Sequence, residues 1–105
     1  MAKPKISLAG EATFKATVSI PVPGGGTADV EWVFAWMGGD DFKEWLANLA
    51  GAEDLDALMD ISRGWDLDEE FGKANVEKLR QKYIGATRAV LDKFIAELTG
   101  ARAKN

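Results

Sequence analysis

The 105-residue sequence contains neither cysteine nor histidine, and these two absences remove several kinds of chemistry at once. Without cysteine there is no disulfide, no thiol nucleophile and no thiolate ligand for a metal. Without histidine, the usual general base and the commonest ligand of transition metals are also missing. No apolar run approaches the roughly 20 residues that span a membrane, and the start of the chain lacks the apolar core of a secretion signal. We therefore expect a cytosolic protein without a membrane partner.

Charge is distributed unevenly along the chain, although the net charge is only −4. Residues 1–37 carry three basic and three acidic residues and are neutral. Residues 38–72 carry two basic and eleven acidic residues, a net charge of −9, whereas residues 73–105 carry eight basic and three acidic residues, a net charge of +5. Such segments can pair within one molecule or between copies. Solvated helix faces of opposite charge bias are the simpler interpretation, and we favour it.

Two stretches with an apolar period of two predict an antiparallel β-hairpin over residues 11–36. Apolar and polar side chains alternate from Glu11 to Val22 and again from Thr27 to Trp36. Pro23 and three glycines lie between the two stretches and predict a turn. Because a lone hairpin is only marginally stable, we expect its aromatic face to pack against helices. That face carries Ala28, Val30, Trp32, Phe34 and Trp36.

After Gly38 and Gly39 the apolar period changes to 3.6, which predicts about four α-helices. Asp40 is the expected N-cap of the first helix, which ends before Gly51. The other three helices are predicted over residues 53–63, 73–83 and 86–99.

The predicted fold class is α+β, with an N-terminal antiparallel β-hairpin followed by about four α-helices. Hydrophobic residues make up 47% of the chain, which is enough for one modest core. We expect a single domain over residues 1–105. Within it, the hairpin occupies residues 11–36, a helical body residues 40–99, and flexible ends residues 1–10 and 101–105.

The most acidic stretch is residues 63–72, RGWDLDEEFG, in which four carboxylates surround one tryptophan. As a calcium-binding loop that starts at Asp66, it has Phe71 where the sharp turn needs glycine. Paired catalytic carboxylates would need a deep cleft, and no phosphate-binding loop, catalytic triad or metal-ligand spacing occurs. We therefore interpret the stretch as a connection in which Gly64 ends one helix and Trp65 fills the corner before the next. No catalysis, metal or cofactor is expected.

The second half of the chain combines Gly64-Trp65, an acidic turn that ends at Phe71, a helix that ends at Tyr83 and a Gly85-Ala86 corner. In these features it resembles the C-terminal part of the phage tail assembly chaperones. Residues 14–34, FKATVSIPVPGGGTADVEWVF, are similar to the hairpin of that family. Two positions depart from the family pattern, because Ile84 replaces a usual proline and Gly72 a common capping threonine. The features that carry the resemblance in the second half are Gly64-Trp65, the acidic turn that ends at Phe71, Tyr83, Gly85-Ala86, Ala101-Arg102 and Asn105.

The resemblance implies a non-enzymatic role in the assembly of long-tailed phage particles. Such chaperones bind the tape measure protein, a long helical chain that sets tail length, and keep it soluble until tail tube subunits polymerise around it. Many also exist as a frameshifted longer product that recruits the tail tube protein. The resemblance further implies a location in the host cytoplasm and absence from the mature virion.

A chaperone of this kind needs exposed apolar surface together with charge that keeps it soluble. Trp45 and Trp65, near the expected ends of helices, can be half exposed. Copies bound along one client can also associate head to tail through the −9 and +5 segments. The candidate partner-binding side chains are Val33, Ala35, Trp36, Met37, Trp45 and Trp65.

The alternative function is that of an acidic inhibitor of phage or prophage origin that mimics DNA. Seven carboxylates between Asp54 and Glu70 would stand in for phosphates, but the basic last third of the chain argues against this function. Direct binding of nucleic acid through the basic end is disfavoured as well, because its basic residues are not striped with aromatic ones. We expect no nucleic acid as a partner.

Overall fold

A three-stranded antiparallel sheet opens the structure, a computed structural model that describes residues 12–100. Strand β1 (Thr13–Pro21) pairs along its whole length with β2 (Thr27–Ala35). The turn between them contains three consecutive glycines with φ angles of 90°, 99° and 84°, a backbone region that favours glycine. The hairpin and its glycine turn, both predicted from the sequence, are therefore confirmed.

Between the hairpin and residue 100 the structure has four helices, which confirms the predicted α+β fold class. The flexible ends predicted at residues 1–10 and 101–105 lie outside the described residues, and the single-domain organisation stays a prediction. The helices are α1 (Gly39–Leu49), α2 (Asp54–Ile61), α3 (Lys73–Lys82) and α4 (Ala86–Thr99).

The first helix begins differently from the prediction, since Gly38 and not Asp40 occupies the N-cap. The N–H of Phe42 donates to the carbonyl oxygen of Gly38 at 2.9 Å, so the helical hydrogen bonds already start there. Gly38 has no side chain to cap the helix, and Asp40 and Asp41 lie in the first turn, where the helix dipole favours negative charge.

A third strand, β3 (Ser62–Trp65), replaces the predicted end of the second helix. It pairs with β2, with Trp65 opposite Trp32 and Ser62 opposite Phe34, and the register shifts between Val33 and Phe34. The prediction of a helix over 53–63 that ends at Gly64 is therefore wrong at its C-terminal end. The backbone is extended from Ser62 onward because these residues pair with the edge of β2 that β1 leaves free. In this position the Ser62 hydroxyl accepts the indole N–H of Trp32.

The hydrophobic core lies between the inner face of the sheet and the helices. Val30, Trp32 and Phe34 face it as predicted, whereas Ala28 and Trp36, expected on the same face, are exposed. The main core residues are Val18, Ile20, Val30, Trp32, Phe34, Trp45, Leu58, Ile61, Val76, Ala86, Val90 and Phe94.

Candidate functional site

All five phenylalanines and four tryptophans of the chain belong to one network of ring contacts. Phe94 of α4 is its centre and is fully buried. Its ring centroid lies 5.5 Å from that of Phe34, 6.3 Å from Phe14, 6.2 Å from Phe42 and 5.1 Å from Trp45. The network therefore joins the hairpin, α1 and α4 through one side chain.

A second branch of the network runs from the sheet into the acidic stretch. The Trp32 and Trp65 rings lie 5.4 Å apart and nearly perpendicular, and Phe71 contacts Trp65 edge-on at 5.3 Å. The Trp65 Nε1–H donates to the carbonyl oxygen of Glu69 at 2.7 Å. Trp65 thereby ties the acidic stretch to the sheet, as the corner-filling interpretation predicts, although the segment before it is a strand and not a helix.

The acidic stretch also continues the pairing of β3 with β2. The N–H of Asp66 donates to the carbonyl oxygen of Glu31 at 3.1 Å, and Oδ1 of Asp66 accepts the N–H of Glu31 at 3.0 Å. Asp68, Glu69 and Glu70 are exposed. Within residues 12–100 no group of three or more acidic side chains is placed to hold a metal ion.

The six side chains predicted to contact a partner differ widely in exposure. Ala35 and Trp45 are only 2% and 8% exposed, so they offer almost no surface in this conformation. The expected half exposure of Trp45 is wrong, because this side chain lies in the middle of α1, on the side that packs on Phe94. Trp36, by contrast, is 54% exposed. Half-buried are Val33, Met37 and Trp65.

The structure brings only some of these candidates together. Trp36 and Met37 follow the end of β2, where the Trp36 ring stands edge-on to Phe14 at 5.9 Å. Val33 lies opposite Gly64 and Trp65 opposite Trp32, so Val33 and Trp65 are on different faces of the sheet. The role of each in partner binding stays a prediction.

Two exposed apolar side chains were not among the sequence candidates. Ile84, at the corner between α3 and α4, is 89% exposed, and Leu46 of α1 is 39% exposed. The corner itself is packed, because a Cβ on Gly85 would lie 3.0 Å from Cγ of Pro21. For Ile84 the sequence signal was a large aliphatic residue directly before a glycine, at the position where the family usually has proline.

The acidic and basic segments meet between α2 and α3. Arg80 makes a two-pronged contact with Glu77, at 3.0 and 3.1 Å, and lies 3.6 Å from Asp54, while Lys73 lies 3.9 Å from Asp56. These residues line a polar groove of about 490 Å³. Glu53 lines the groove as well, so four carboxylates face two basic side chains and only part of the negative charge is neutralised.

The two pKa shifts in this groove have the same cause. The hydrogen bond from Arg80, followed by that from Gln81, lowers the pKa of Glu77, and the hydrogen bond to Glu77 raises the pKa of Arg80. Both shifts favour the charged forms. Neither side chain is therefore a suitable proton donor or acceptor near neutral pH.

Comparison with known proteins identifies a family for the whole chain. The sequence model described as phage tail assembly chaperone matches residues 1–105. No curated protein and no solved structure gave a match. Within residues 12–100, no helix combines the length and the apolar character needed to cross a bilayer. Because the match covers the full length, the chain belongs to the phage tail assembly chaperones, and this membership supports a role in phage tail assembly with a phage tail protein as partner.

Proposed function

We propose that this protein binds the tape measure protein, the long helical chain that sets tail length, and keeps it soluble while the tail is built. The observation that carries the proposal is the exposure of Trp36, a large apolar side chain that is 54% accessible at the end of an aromatic network whose other rings are buried or half-buried. Aromatic side chains of this kind dominate the binding energy of many protein interfaces. The neighbouring Met37 adapts to irregular apolar partners.

The charges around this surface suit a chaperone that must stay soluble with its client. Asp40, Asp41 and Glu44 lie on the exposed part of α1, close in sequence to Trp36 and Met37. A complex that carries these charges on its outside resists further association. The proposed role is non-enzymatic, is performed in the host cytoplasm, and ends before the virion is mature. A frameshifted longer form would add contact with the tail tube protein.

The alternative of a DNA mimic is weakened by the placement of two of its seven carboxylates, although Asp68, Glu69 and Glu70 are exposed. Asp54 and Asp56 approach Arg80 and Lys73 of α3 and are partly neutralised by them. A mimic needs its carboxylates free and spread over one face. We therefore retain the chaperone as the proposed function.

Head-to-tail association of copies stays a prediction. Ion pairs within the molecule leave fewer charges for contacts between copies than the sequence counts suggest. Besides the contacts between α2 and α3, Arg88 pairs with Asp92 at 3.2 Å and Lys93 with Glu97 at 3.4 Å within α4. If copies associate through charge, high salt should weaken the association, and a salt-insensitive oligomer would contradict it.

The test of the proposed function is co-expression with the tape measure protein encoded alongside this chain. The wild type should raise the soluble fraction of that protein. Trp36→Ala should lose much of the effect, by roughly ten-fold or more in affinity if Trp36 is a binding hot spot. Arg88→Ala, which truncates another long and largely exposed side chain, is the matched control and should behave as the wild type. If the wild type leaves the solubility of the tape measure protein unchanged, the proposed function is wrong.

A further inference from the structure

Within the described residues 12–100, the contacts between helix α1 and the other elements are apolar. Phe42 and Trp45, stacked on each other at 6.0 Å, both contact Phe94 of α4, and Leu49 is partly buried against the core. Among residues 12–100, no side chain of α1 forms a hydrogen bond or an ion pair with another element. Detachment of α1 would therefore break no polar interaction between elements.

One polar group favours detachment. The indole Nε1–H of Trp45 is buried and has no hydrogen-bond partner in the described part of the chain. A buried donor without a partner costs free energy that is recovered when the group reaches water. The same side chain that holds α1 in place thus also weakens its attachment.

The two ends of α1 are suited to movement. Gly38 precedes the helix, Gly39 is its first residue and Gly51 follows it, and a Cβ at any of the three would meet no atom within 4 Å. The N-cap has no side-chain hydrogen bond and the last turn has no basic residue. A helix of 11 residues without these features is marginal by itself, so α1 depends on its docked position.

The surface beneath α1 is aromatic and already partly accessible at its border. Loss of α1 would expose Phe94 beside Phe14 and Phe34, which contact it from the hairpin. Trp36 also contacts Phe14, edge-on at 5.9 Å, and is exposed with α1 in place. A partner can therefore contact Trp36 first and then extend over the surface that α1 covers.

We infer that α1 is a displaceable helix that occupies the binding surface of a client helix, an inference that rests on the proposed function. The occupant that fits is defined by α1 itself: an amphipathic helix of about three turns with two large apolar side chains three residues apart, as in Phe42 and Trp45. The client helix takes the place of these two rings on Phe94. In the free chaperone, α1 keeps the aromatic surface covered.

The probe is a labelled synthetic peptide of residues 38–51, GGDDFKEWLANLAG, added to the full-length protein. It should bind, and a peptide with Phe42→Ala and Trp45→Ala should not. Gly39→Ala together with Gly51→Ala in the protein should favour docked α1 and weaken peptide binding about five-fold. Phe42→Ala in the protein should weaken the docking of α1 and strengthen peptide binding. Gly72→Ala, also at a position with no atom within 4 Å of a Cβ, is the matched control and should change nothing.

Hydrogen exchange with the tape measure protein as ligand gives a second readout. Whether the amides of α1 lose or gain protection decides between displacement of α1 and binding on top of it. Displacement predicts that the amides of α1 lose protection when the client binds, and that the two glycine replacements lower client affinity. If the client binds but α1 gains protection, the client binds on top of α1 and the inference is wrong, although the proposed function stands. Dimer formation that opens α1 without any client would assign the surface to a second copy and would also overturn the inference.

Discussion

The indole Nε1–H of Trp32 donates to the hydroxyl oxygen of Ser62 at 2.9 Å, in a part of the core that excludes water. Trp32 is 0% exposed and Ser62 is 3% exposed. Trp32 lies on the central strand β2, and Ser62 is the first residue of β3. This contact therefore adds a buried side-chain link to the backbone pairing between the predicted hairpin and the strand that follows α2.

Replacement of Ser62 should reveal how much this contact contributes to folding. Ser62→Ala leaves the Trp32 indole buried without a partner, and we expect a loss of about 1–3 kcal/mol in the free energy of unfolding. Urea unfolding followed by circular dichroism measures it. Ser19→Ala is the control, because Ser19 also forms one side-chain hydrogen bond, here as the donor to Asp29 at 2.8 Å, but is exposed. Equal losses for the two variants would mean that burial of the Trp32–Ser62 pair has no energetic consequence.

Gly85 is predicted to be intolerant of alanine for a purely steric reason. Its φ is −79°, which alanine adopts readily, but a Cβ would lie 3.0 Å from Cγ and 3.3 Å from Cδ of Pro21. Gly85→Ala should therefore separate the α3–α4 corner from the end of β1 and cost about 1–3 kcal/mol. The melting temperature of Gly85→Ala is compared with that of Gly72→Ala, where a Cβ would meet no atom within 4 Å. The difference between the two melting temperatures measures the effect of the clash with Pro21. Similar melting temperatures for the two variants would contradict the packing of this corner on Pro21.

The hairpin and the helices could be predicted from the sequence because each has a clear apolar period. Residues 13–21 and 27–35 alternate, and their glycine turn fixes the register. In α4, predicted over residues 86–99, the period of 3.6 buries Val90 and Phe94. Local pattern and tertiary packing agree in these elements, so the pattern was sufficient.

Strand β3 and the exposure of the candidate partner-binding side chains could not be predicted from a local apolar period. Four residues, SRGW, are too short to show a period, and they are a strand only because the free edge of β2 lies beside them. The burial of Trp45 depends on where α1 sits relative to Phe94, a long-range contact that no local pattern encodes. The exposure of Trp36, which follows the end of β2, is likewise set by tertiary packing.

The contact between Glu77 and Arg80 predicts a dependence of stability on pH. Because Arg80 lowers the pKa of Glu77 in the folded protein, the unfolded chain binds this proton more readily. The stabilisation is complete above the ordinary pKa of 4.5 and is lost as the pH falls through the lower pKa of the folded state. The stability difference between wild type and Glu77→Gln should therefore shrink below about pH 4.5.

Urea unfolding of both proteins between pH 3 and pH 7 measures this difference. Arg80→Gln removes the main cause of the shift, so in that background the effect of Glu77→Gln should vary less with pH. A difference between wild type and Glu77→Gln that stays constant across the range would show that the pair does not perturb the carboxyl group in solution.

Trp45 should respond in opposite ways to two replacements. Trp45→Phe keeps a ring against Phe94 and removes the unpartnered Nε1–H, so we expect stability to be unchanged or raised by up to about 1 kcal/mol. Trp45→Ala removes the ring and should cost about 3–5 kcal/mol if α1 stays docked on the cavity. A displaceable α1 predicts a smaller loss, because the helix detaches while the sheet and the other helices stay folded. Hydrogen exchange of Trp45→Ala distinguishes the two, since detachment removes protection from α1 alone, whereas a cavity in a firmly packed core lowers protection across α4 and the hairpin as well.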